Sequence, residues 1–163
     1  MVPRTGPVPQ NAAAGTCAAP NPMATFIPPL DHVRDAPFSE RKVLEALQGL
    51  PDDWRVFSGV RFVVPPSGPH PATEREIDLL LLHPEHGMLA IEVKGGGVEY
   101  DLRAMGGFFS TDRAGGRNRI ADPFRQASSA LHALEALVGR DGRWPDGSVD
   151  FARGHGVAFP DCD

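Results

Sequence analysis

The chain has 163 residues, and its 16 Lys and Arg against 21 Asp and Glu give a net charge of −5. This length is enough for one domain with a hydrophobic core, while the acidic balance argues against a module that coats nucleic acid through a broad basic surface. No apolar run, IDLLLL included, is long enough to span a membrane, and the N-terminus lacks the apolar segment of a signal peptide. The two cysteines have no zinc-ligand spacing, so a cytoplasmic protein without membrane contact is expected.

The first 29 residues differ in composition from the rest of the chain. They are rich in Pro, Ala, Gly and Asn, with almost no large apolar side chain before Phe26. This composition predicts a disordered N-terminal extension over residues 1–29, followed by a folded domain over residues 30–163. Because the composition changes at MATFIPPL, a start of translation at Met23 is an alternative to a start at Met1.

The hydrophobic pattern of the domain predicts a helix followed by strands. The apolar residues of KVLEALQGL fall at helical spacing, which predicts a first helix over Pro37 to Gln48. WRVFSGVRFVV, Trp54 to Val64, is rich in β-branched and aromatic residues and predicts a strand with a kink at Gly59. IDLLLLHPEHGMLAIEV predicts an antiparallel hairpin that turns around His83 to Gly87.

The second half of the domain predicts short strands, a helix and a last strand. GGGVEYDLRAMGGFFSTD is typical of one or two short strands, and RAGGRNRIA of a basic loop. Asp122 is a natural N-cap for a second helix that starts at Pro123. The apolar stripe of this helix consists of Phe124, Ala127, Leu131, Leu134 and Val138. With HGVAFP as a last strand, the order α-β-β-β-(β)-α-β predicts an α/β fold in which a mixed sheet is flanked by helices.

Three ionisable residues lie in the two strands of the predicted hairpin. Side chains alternate along a strand, so Glu92 and Lys94 share one face, and Asp78 lies beside them if the register allows it. One interpretation is a solvated ion pair on an exposed face. The continuous apolar runs favour a second interpretation, in which both faces of the hairpin are covered and the buried carboxylates bind a divalent cation such as Mg²⁺ or Mn²⁺. Two carboxylates and a lysine suit a phosphodiesterase, because a metal polarises the phosphate and a lysine orients water or offsets charge.

Several segments of the sequence resemble a known family. Asp78, followed a hairpin later by Glu92-Val93-Lys94, resembles the PD-(D/E)xK nuclease motif. More narrowly, SERKVLEAL, EREIDLLLLHPEHGMLAIEVKGG and IADPFRQASSAL together resemble the nuclease-related domain, NERD. The resemblance implies a restriction-endonuclease-like core, cleavage of DNA that depends on Mg²⁺ or Mn²⁺, and frequent association with a helicase. One departure is Glu76, which stands where such motifs often have proline.

The resemblance also implies roles for individual residues. Asp78, Glu92 and the carbonyl of Val93 would bind the metal, and Lys94 would be the catalytic lysine. Glu40 would assist the metal or its waters, and Gln126 would support the site or contact the substrate. For Glu40 the alternative is an acid in the first helical turn that is favoured by the helix dipole. For Gln126 the alternative is an ordinary polar residue in the first turn of a helix.

Four arginines lie close together in the second half of the sequence. They are either phosphate contacts or solvated loop residues, and they are Arg113, Arg117, Arg119 and Arg125. Two functions remain open. The intact acids and lysine favour a nuclease that acts on DNA in processing or repair alongside a helicase, whereas the negative charge favours a non-catalytic nucleic-acid-binding or docking module. We expect the domain to lead into a further domain, because the last predicted strand has little chain after it.

Overall fold

The computed structural model describes residues 23–103, 106–112, 114–140 and 151–162. Within these residues, two α-helices, a short 3-10 helix (Leu30–His32) and eight strands form the α/β architecture that was predicted. The α-helices are α1 (Phe38–Leu47) and α2 (Pro123–Val138), and the strands are β1 (Thr25–Ile27), β2 (Arg55–Val64), β3 (Thr73–His83), β4 (Gly87–Val93), β5 (Gly97–Tyr100), β6 (Phe108–Thr111), β7 (Arg117–Ile120) and β8 (Arg153–Ala158). No helix in this part of the chain has the length and apolar character needed to cross a membrane.

The main sheet has five strands in the order β1-β2-β3-β4-β8. Strands β2, β3 and β4 run antiparallel, whereas β1 and β8 run parallel to their neighbours β2 and β4. The sheet is therefore mixed, and it is flanked by helices as in a restriction-endonuclease-like core. Strands β5, β6 and β7 form a separate antiparallel sheet.

The two faces of the main sheet carry separate apolar clusters. One face joins Leu79 and Leu81 of β3 to Leu44 of α1, and the other joins Leu80 and Ala90 to Leu131 of α2. Because both faces are covered by helices, any polar side chain in the middle of β3 or β4 is shielded from water. The sequence-based expectation that both faces of this hairpin are covered is confirmed.

The folded part of the chain begins earlier than predicted. Thr25–Ile27 form β1, which pairs with the first residues of β2, and Ala24 is buried. The predicted disorder over residues 1–29 is therefore wrong for Ala24 and β1, because the backbone hydrogen bonds to β2 do not depend on a strong apolar pattern. Residues 1–22 lie outside the described part of the chain.

Two further predictions are wrong in detail. The predicted basic loop contains a strand, since Arg117–Ile120 form β7 and pair with β6. In α2 the side chains of Ala127 and Leu131 are buried as expected, but Phe124 is 47% exposed. Its ring lies against Phe108 and Phe159 rather than inside the core cluster that α2 forms with the sheet.

The side-chain alternation predicted for β3 fails at Asp78. Ile77 packs in the same cluster as Leu80, although strict alternation would place Ile77 with Leu79. The ladder between β2 and β3 is interrupted at the same level, where Gly59 has a φ of +62°. A residue with positive φ changes the direction of the side chains next to it. The kink predicted at Gly59 therefore coincides with the point where the side chains of β3 switch from one face of the sheet to the other.

The hairpin turn between β3 and β4 is held by the buried side chain of His83. Its Nδ1 atom accepts hydrogen bonds from the backbone N–H groups of Glu85 and His86, each at 3.0 Å. Its Nε2 atom lies 2.8 Å from Asp53 Oδ2, and its ring stacks on that of His86. His83 therefore has a structural role in fixing the register of this hairpin.

Candidate active site

The centre of the candidate site is the point where β3 and β4 separate. The last backbone pair between them is Leu79 with Ile91, so Asp78 and Glu92 are the next residues on each strand. The Oδ2 atom of Asp78 accepts a hydrogen bond of 2.7 Å from the backbone N–H of Val93. The carboxylate of Asp78 thus takes the place of a backbone acceptor and holds the two strands at a fixed distance.

Glu92 is buried and paired with a lysine on the same strand. Only 8% of the residue is exposed, and its Oε1 atom lies 2.7 Å from Nζ of Lys94. The two side chains therefore share one face, as the alternation predicted. The alternative of a solvated pair on an exposed face is wrong for Glu92, because α2 covers that face.

Asp78, Glu92 and Gln126 line one cavity of about 280 Å³. The other lining residues come from the outer part of β3 and from α2, and they are Glu74, Arg75, Glu76, Ser129 and Ala130. Gln126 is brought here by the start of α2, which is fixed by its N-cap: Asp122 Oδ1 accepts from the N–H groups of Phe124 and Arg125. A larger cavity of about 750 Å³ lies near the other end of α2, but its lining is mostly apolar and includes none of the predicted site residues.

The Oε1 atom of Gln126 is buried without a hydrogen-bond partner in the described structure. A buried carbonyl-type oxygen without a donor costs about 1–3 kcal/mol. Gln126 also lines the carboxylate cavity, and a donor or a cation that reached this oxygen would be favourable. This feature separates Gln126 from an ordinary polar residue in a first helical turn.

Glu40 reaches the same region from α1, on the other side of the sheet. The approach of α1 depends on Gly95, because a Cβ atom at this position would lie 2.8 Å from Oγ of Ser39 and 2.9 Å from its Cβ. The glycine after β4 therefore lets the first turn of α1 come close to the end of the strand. Burial, and then the charges of Asp78, Glu76 and Glu92, raise the pKa of Glu40 to about 7.

The two strand carboxylates are perturbed in the same direction. Burial raises the pKa of Asp78, although the hydrogen bond from Val93 N–H and the charge of Lys94 oppose this. Burial also raises the pKa of Glu92, which the hydrogen bond from Lys94 opposes. The acids here outnumber the cations close to them, so additional positive charge would be stabilising.

Sequence reasoning missed the contribution of Glu76. Its charge raises the pKa values of Glu40, Asp78 and Glu92, and its Oε1 atom lies 3.2 Å from Nε of Arg61 on β2. The signal was present in the sequence, because Glu74, Glu76 and Asp78 put three acids into five consecutive residues of one strand.

The predicted arginines are not brought together as one phosphate-binding loop. Arg117 is engaged by acids: its Nη2 atom lies 2.7 Å from Asp101 Oδ2, and its Nε atom donates to Glu99. Arg119 and Arg125 are exposed, the first on β7 and the second in the first turn of α2. Arg113 lies outside the described residues.

The oxygen donors of the site fit a divalent metal that keeps part of its water shell. Among residues 23–103, 106–112, 114–140 and 151–162, no group of three or more His, Cys, Asp or Glu side chains has the arrangement of a metal cage. Mg²⁺ does not require one, because it commonly uses one or two carboxylates and keeps several waters. The hard oxygens of Asp78 and Glu92, their raised pKa values and the unpartnered oxygen of Gln126 fit such a cation.

The chain was compared with known proteins. Residues 37–151 match the family model described as the nuclease-related domain, NERD, a family assigned to the PD-(D/E)xK nuclease superfamily. No curated protein and no solved structure matched the chain. The matched region contains α1, β2 to β7 and α2, and with them every side chain of the carboxylate cavity. The chain therefore belongs to the nuclease-related domain family.

Proposed function

We propose that this protein is a metal-dependent nuclease that cleaves phosphodiester bonds of DNA. The observation that carries the proposal is the grouping of Asp78 and Glu92 in one cavity, with Lys94 in contact with Glu92. Membership of the nuclease-related domain family supports the same reaction class. A purely structural role would leave these shielded acids without a purpose, since buried charges are costly.

Asp78 and Glu92 are the residues that would hold Mg²⁺ or Mn²⁺, together with the carbonyl of Val93. The N–H of Val93 points to Asp78, while the N–H of Lys94 donates to Ala158 of β8 on the other side. Because the N–H and C=O of one strand residue point to the same neighbour, the carbonyl of Val93 is expected on the side of Asp78. When bound, the metal would polarise the scissile phosphate and offset its charge.

Lys94 and Glu40 would handle charge and protons around the phosphate. The ammonium group of Lys94 is held by Glu92 and is 25% exposed, so it is available to orient water or to offset charge that develops on the phosphate. A carboxylate with a pKa of about 7, as at Glu40, is suited to accept a proton at neutral pH. Gln126 would offer its free oxygen to a donor in the cavity, such as a bound water.

The substrate would be held weakly by this chain alone. Arg119 and Arg125 are exposed and are proposed to contact phosphates, whereas Arg117 already interacts with two acids. Affinity for DNA backbone comes mainly from such contacts, and the net charge of −5 opposes it. A helicase domain, fused or separate, is therefore proposed to supply the additional grip. The process that we propose for the chain is cytoplasmic DNA processing or repair.

Cleavage assays test the proposal directly. Supercoiled plasmid and single-stranded DNA are incubated with the purified chain in Mg²⁺, Mn²⁺ or EDTA, and Lys94→Met is run in parallel. We expect cleavage with either metal, none in EDTA, and none with the variant. Cleavage that persists in EDTA, or that Lys94→Met retains, would assign the activity to another protein or another site.

The second candidate is a nucleic-acid-binding or docking module that has kept the nuclease fold without turnover. It is favoured by the Glu92–Lys94 contact of 2.7 Å, because the lysine already compensates one of the acids. For this candidate, DNA binding would persist in EDTA and no product would form under any metal. Binding and cleavage measured on the same preparation separate the two functions.

A further inference from the structure

Four aromatic side chains from separate elements of the fold form a row of neighbouring rings. We call it the aromatic ridge, and it consists of Tyr100, Phe108, Phe124 and Phe159. Successive ring centroids are 4.9 Å, 6.0 Å and 6.2 Å apart in that order. Tyr100 is 55% exposed and Phe124 is 47% exposed, while Phe108 and Phe159 are half-buried between them. The ridge therefore presents two accessible rings on a supporting aromatic base.

The ridge joins three parts of the fold. Tyr100 and Phe108 are cross-strand partners in the small sheet, so they share one of its faces. Phe124 comes from the first turn of α2, and Phe159 follows the last residue of β8. Exposed aromatic rings from separate elements that contact one another form an apolar patch, which in proteins commonly marks a binding surface.

None of the four rings lines the carboxylate cavity, but two of them are close in the chain to residues of the candidate site. Phe124 precedes Gln126 by two residues in the same helical turn, and Gln126 lines the cavity with Asp78. At the other side, Phe159 follows Ala158, whose carbonyl accepts the backbone N–H of Lys94. For the rings to act on a strand bound at the cavity, that strand would have to pass the first turn of α2, which carries both Phe124 and Gln126.

Positive charge accompanies the exposed rings. Arg125 is exposed and directly follows Phe124 in the first turn of α2. Arg119 is also exposed and its Nη2 atom donates to the carbonyl of Gly106, but it pairs with Phe109 and therefore lies on the other face of the small sheet from Tyr100. Rings for bases and guanidinium groups for phosphates are the two elements that proteins use to hold single-stranded nucleic acid.

We propose that the aromatic ridge is a stacking platform for unpaired bases of single-stranded DNA that enters the carboxylate cavity. The faces of paired bases are covered in a duplex, so an aromatic side chain can stack only on bases that are unpaired or splayed apart. The inference rests on the proposed nuclease function and narrows its substrate to DNA with a single-stranded segment next to the cleaved bond. A ligand without aromatic groups would gain nothing from stacking on these rings. The bases of duplex DNA are covered by their neighbours and cannot stack on them.

Binding measured without cleavage tests the platform. A fluorescently labelled oligothymidine of about 15 nucleotides, and a duplex of the same length, are titrated with the full chain in EDTA at low salt. We expect Tyr100→Ala and Phe124→Ala each to weaken binding of the single strand by roughly 5-fold or more, as for loss of one base–aromatic stack. Binding of the duplex should change less than 2-fold, because its bases are not available to the rings.

Three controls make the result specific. Tyr100→Phe keeps the ring and should retain the wild-type affinity for the single strand. Val63→Ala removes an apolar side chain that is 57% exposed on β2, outside the ridge, and should also leave that affinity unchanged. The Tm of each variant shows that it is folded, and if Phe124→Ala fails to fold, Tyr100→Ala with Tyr100→Phe decides the question.

Several outcomes would overturn the platform. Unchanged affinity of Tyr100→Ala for the single strand would do so, as would an equal loss for the duplex. If the ridge were instead a contact between two copies of the chain, DNA affinity would stay constant and the substitutions would lower the apparent mass in solution. The nuclease proposal fails separately from the platform. If binding depends on the rings but no metal-dependent cleavage occurs, the platform is supported and the nuclease function is refuted. If DNA is cleaved but binding does not depend on the rings, the nuclease function is supported and the platform is refuted.

Discussion

Glu40 gives the sharpest test of the carboxylate cluster, because its charge is costly whether or not the protein is an enzyme. Its pKa is raised from 4.5 to about 7 by burial and by neighbouring acids, so the folded state holds this proton more tightly than the unfolded chain. The stability that this contributes is fully present below pH 4.5 and is lost as the pH rises through 7. Glu40→Gln removes the titration and should therefore stabilise the metal-free protein above pH 7.

The size of the effect follows from the shift. A pKa that moves from 4.5 to about 7 corresponds to a ceiling of roughly 3.4 kcal/mol. Glu40 is only half-buried, and solvent screening reduces the effect to roughly 1–2 kcal/mol. For a folded unit of this size, that is a rise in Tm of about 3–8 °C at pH 8. At pH 4.5 the side chain is neutral in both proteins, and the difference in Tm should vanish.

Thermal unfolding in EDTA between pH 4.5 and 8.5 measures this difference. Glu45→Gln is the matched control, because Glu45 is exposed on the same helix and its charge is not among those that raise the pKa of Glu40. Mg²⁺ added at pH 8 should raise the Tm of the wild type and narrow its gap to Glu40→Gln, since a bound cation relieves the same repulsion. A difference in Tm between the wild type and Glu40→Gln that is equal at pH 4.5 and pH 8 would refute the placement of Glu40 among the carboxylates.

Three more expectations concern the remaining site residues. Lys94→Met should lower the rate of plasmid cleavage by about 100-fold or more at unchanged fold, and an unchanged rate would exclude Lys94 from the reaction. Asp78→Asn still offers an acceptor to the N–H of Val93, so calorimetry should find a metal-free Tm no lower than that of wild type but Mg²⁺ affinity reduced about 10-fold or more. Gln126→Leu removes a buried oxygen without a partner and should raise the free energy of unfolding by about 1 kcal/mol in urea titrations while cleavage falls; a loss of stability would show that this oxygen is satisfied in solution.

The strand part of the site was predictable because its information is local. The period of two along a strand places Glu92 with Lys94, and the short turn fixes the register that brings Asp78 beside them. The N-cap at Asp122 was likewise readable, because a side-chain acceptor followed by Pro123 is a local signal for a helix start.

The parts that failed depend on contacts between distant segments. Nothing near Thr25 in the sequence shows that β1 pairs with β2, and nothing near Arg117 shows that its guanidinium group is engaged by Glu99 and Asp101. The pKa of Glu40 depends on how closely α1 approaches Gly95, which is a property of packing. The change of faces at Asp78 also escaped prediction, because its partner is a glycine on the neighbouring strand.

The position of β8 beside β4 has a consequence for the order in which the protein assembles. The hairpin of β3 and β4 is able to form as soon as both strands are synthesised, but the other edge of β4 pairs with residues 153–158, far later in the chain. Until then β4 presents an open apolar edge, which is a template for pairing with other chains. Pairing of strands so far apart in the chain is slow, because the loop-closure entropy is lost before the contacts form, so we expect the docking of β8 to be the slow step of folding. In refolding experiments, the cleavage activity proposed above should then appear later than the bulk of the secondary structure.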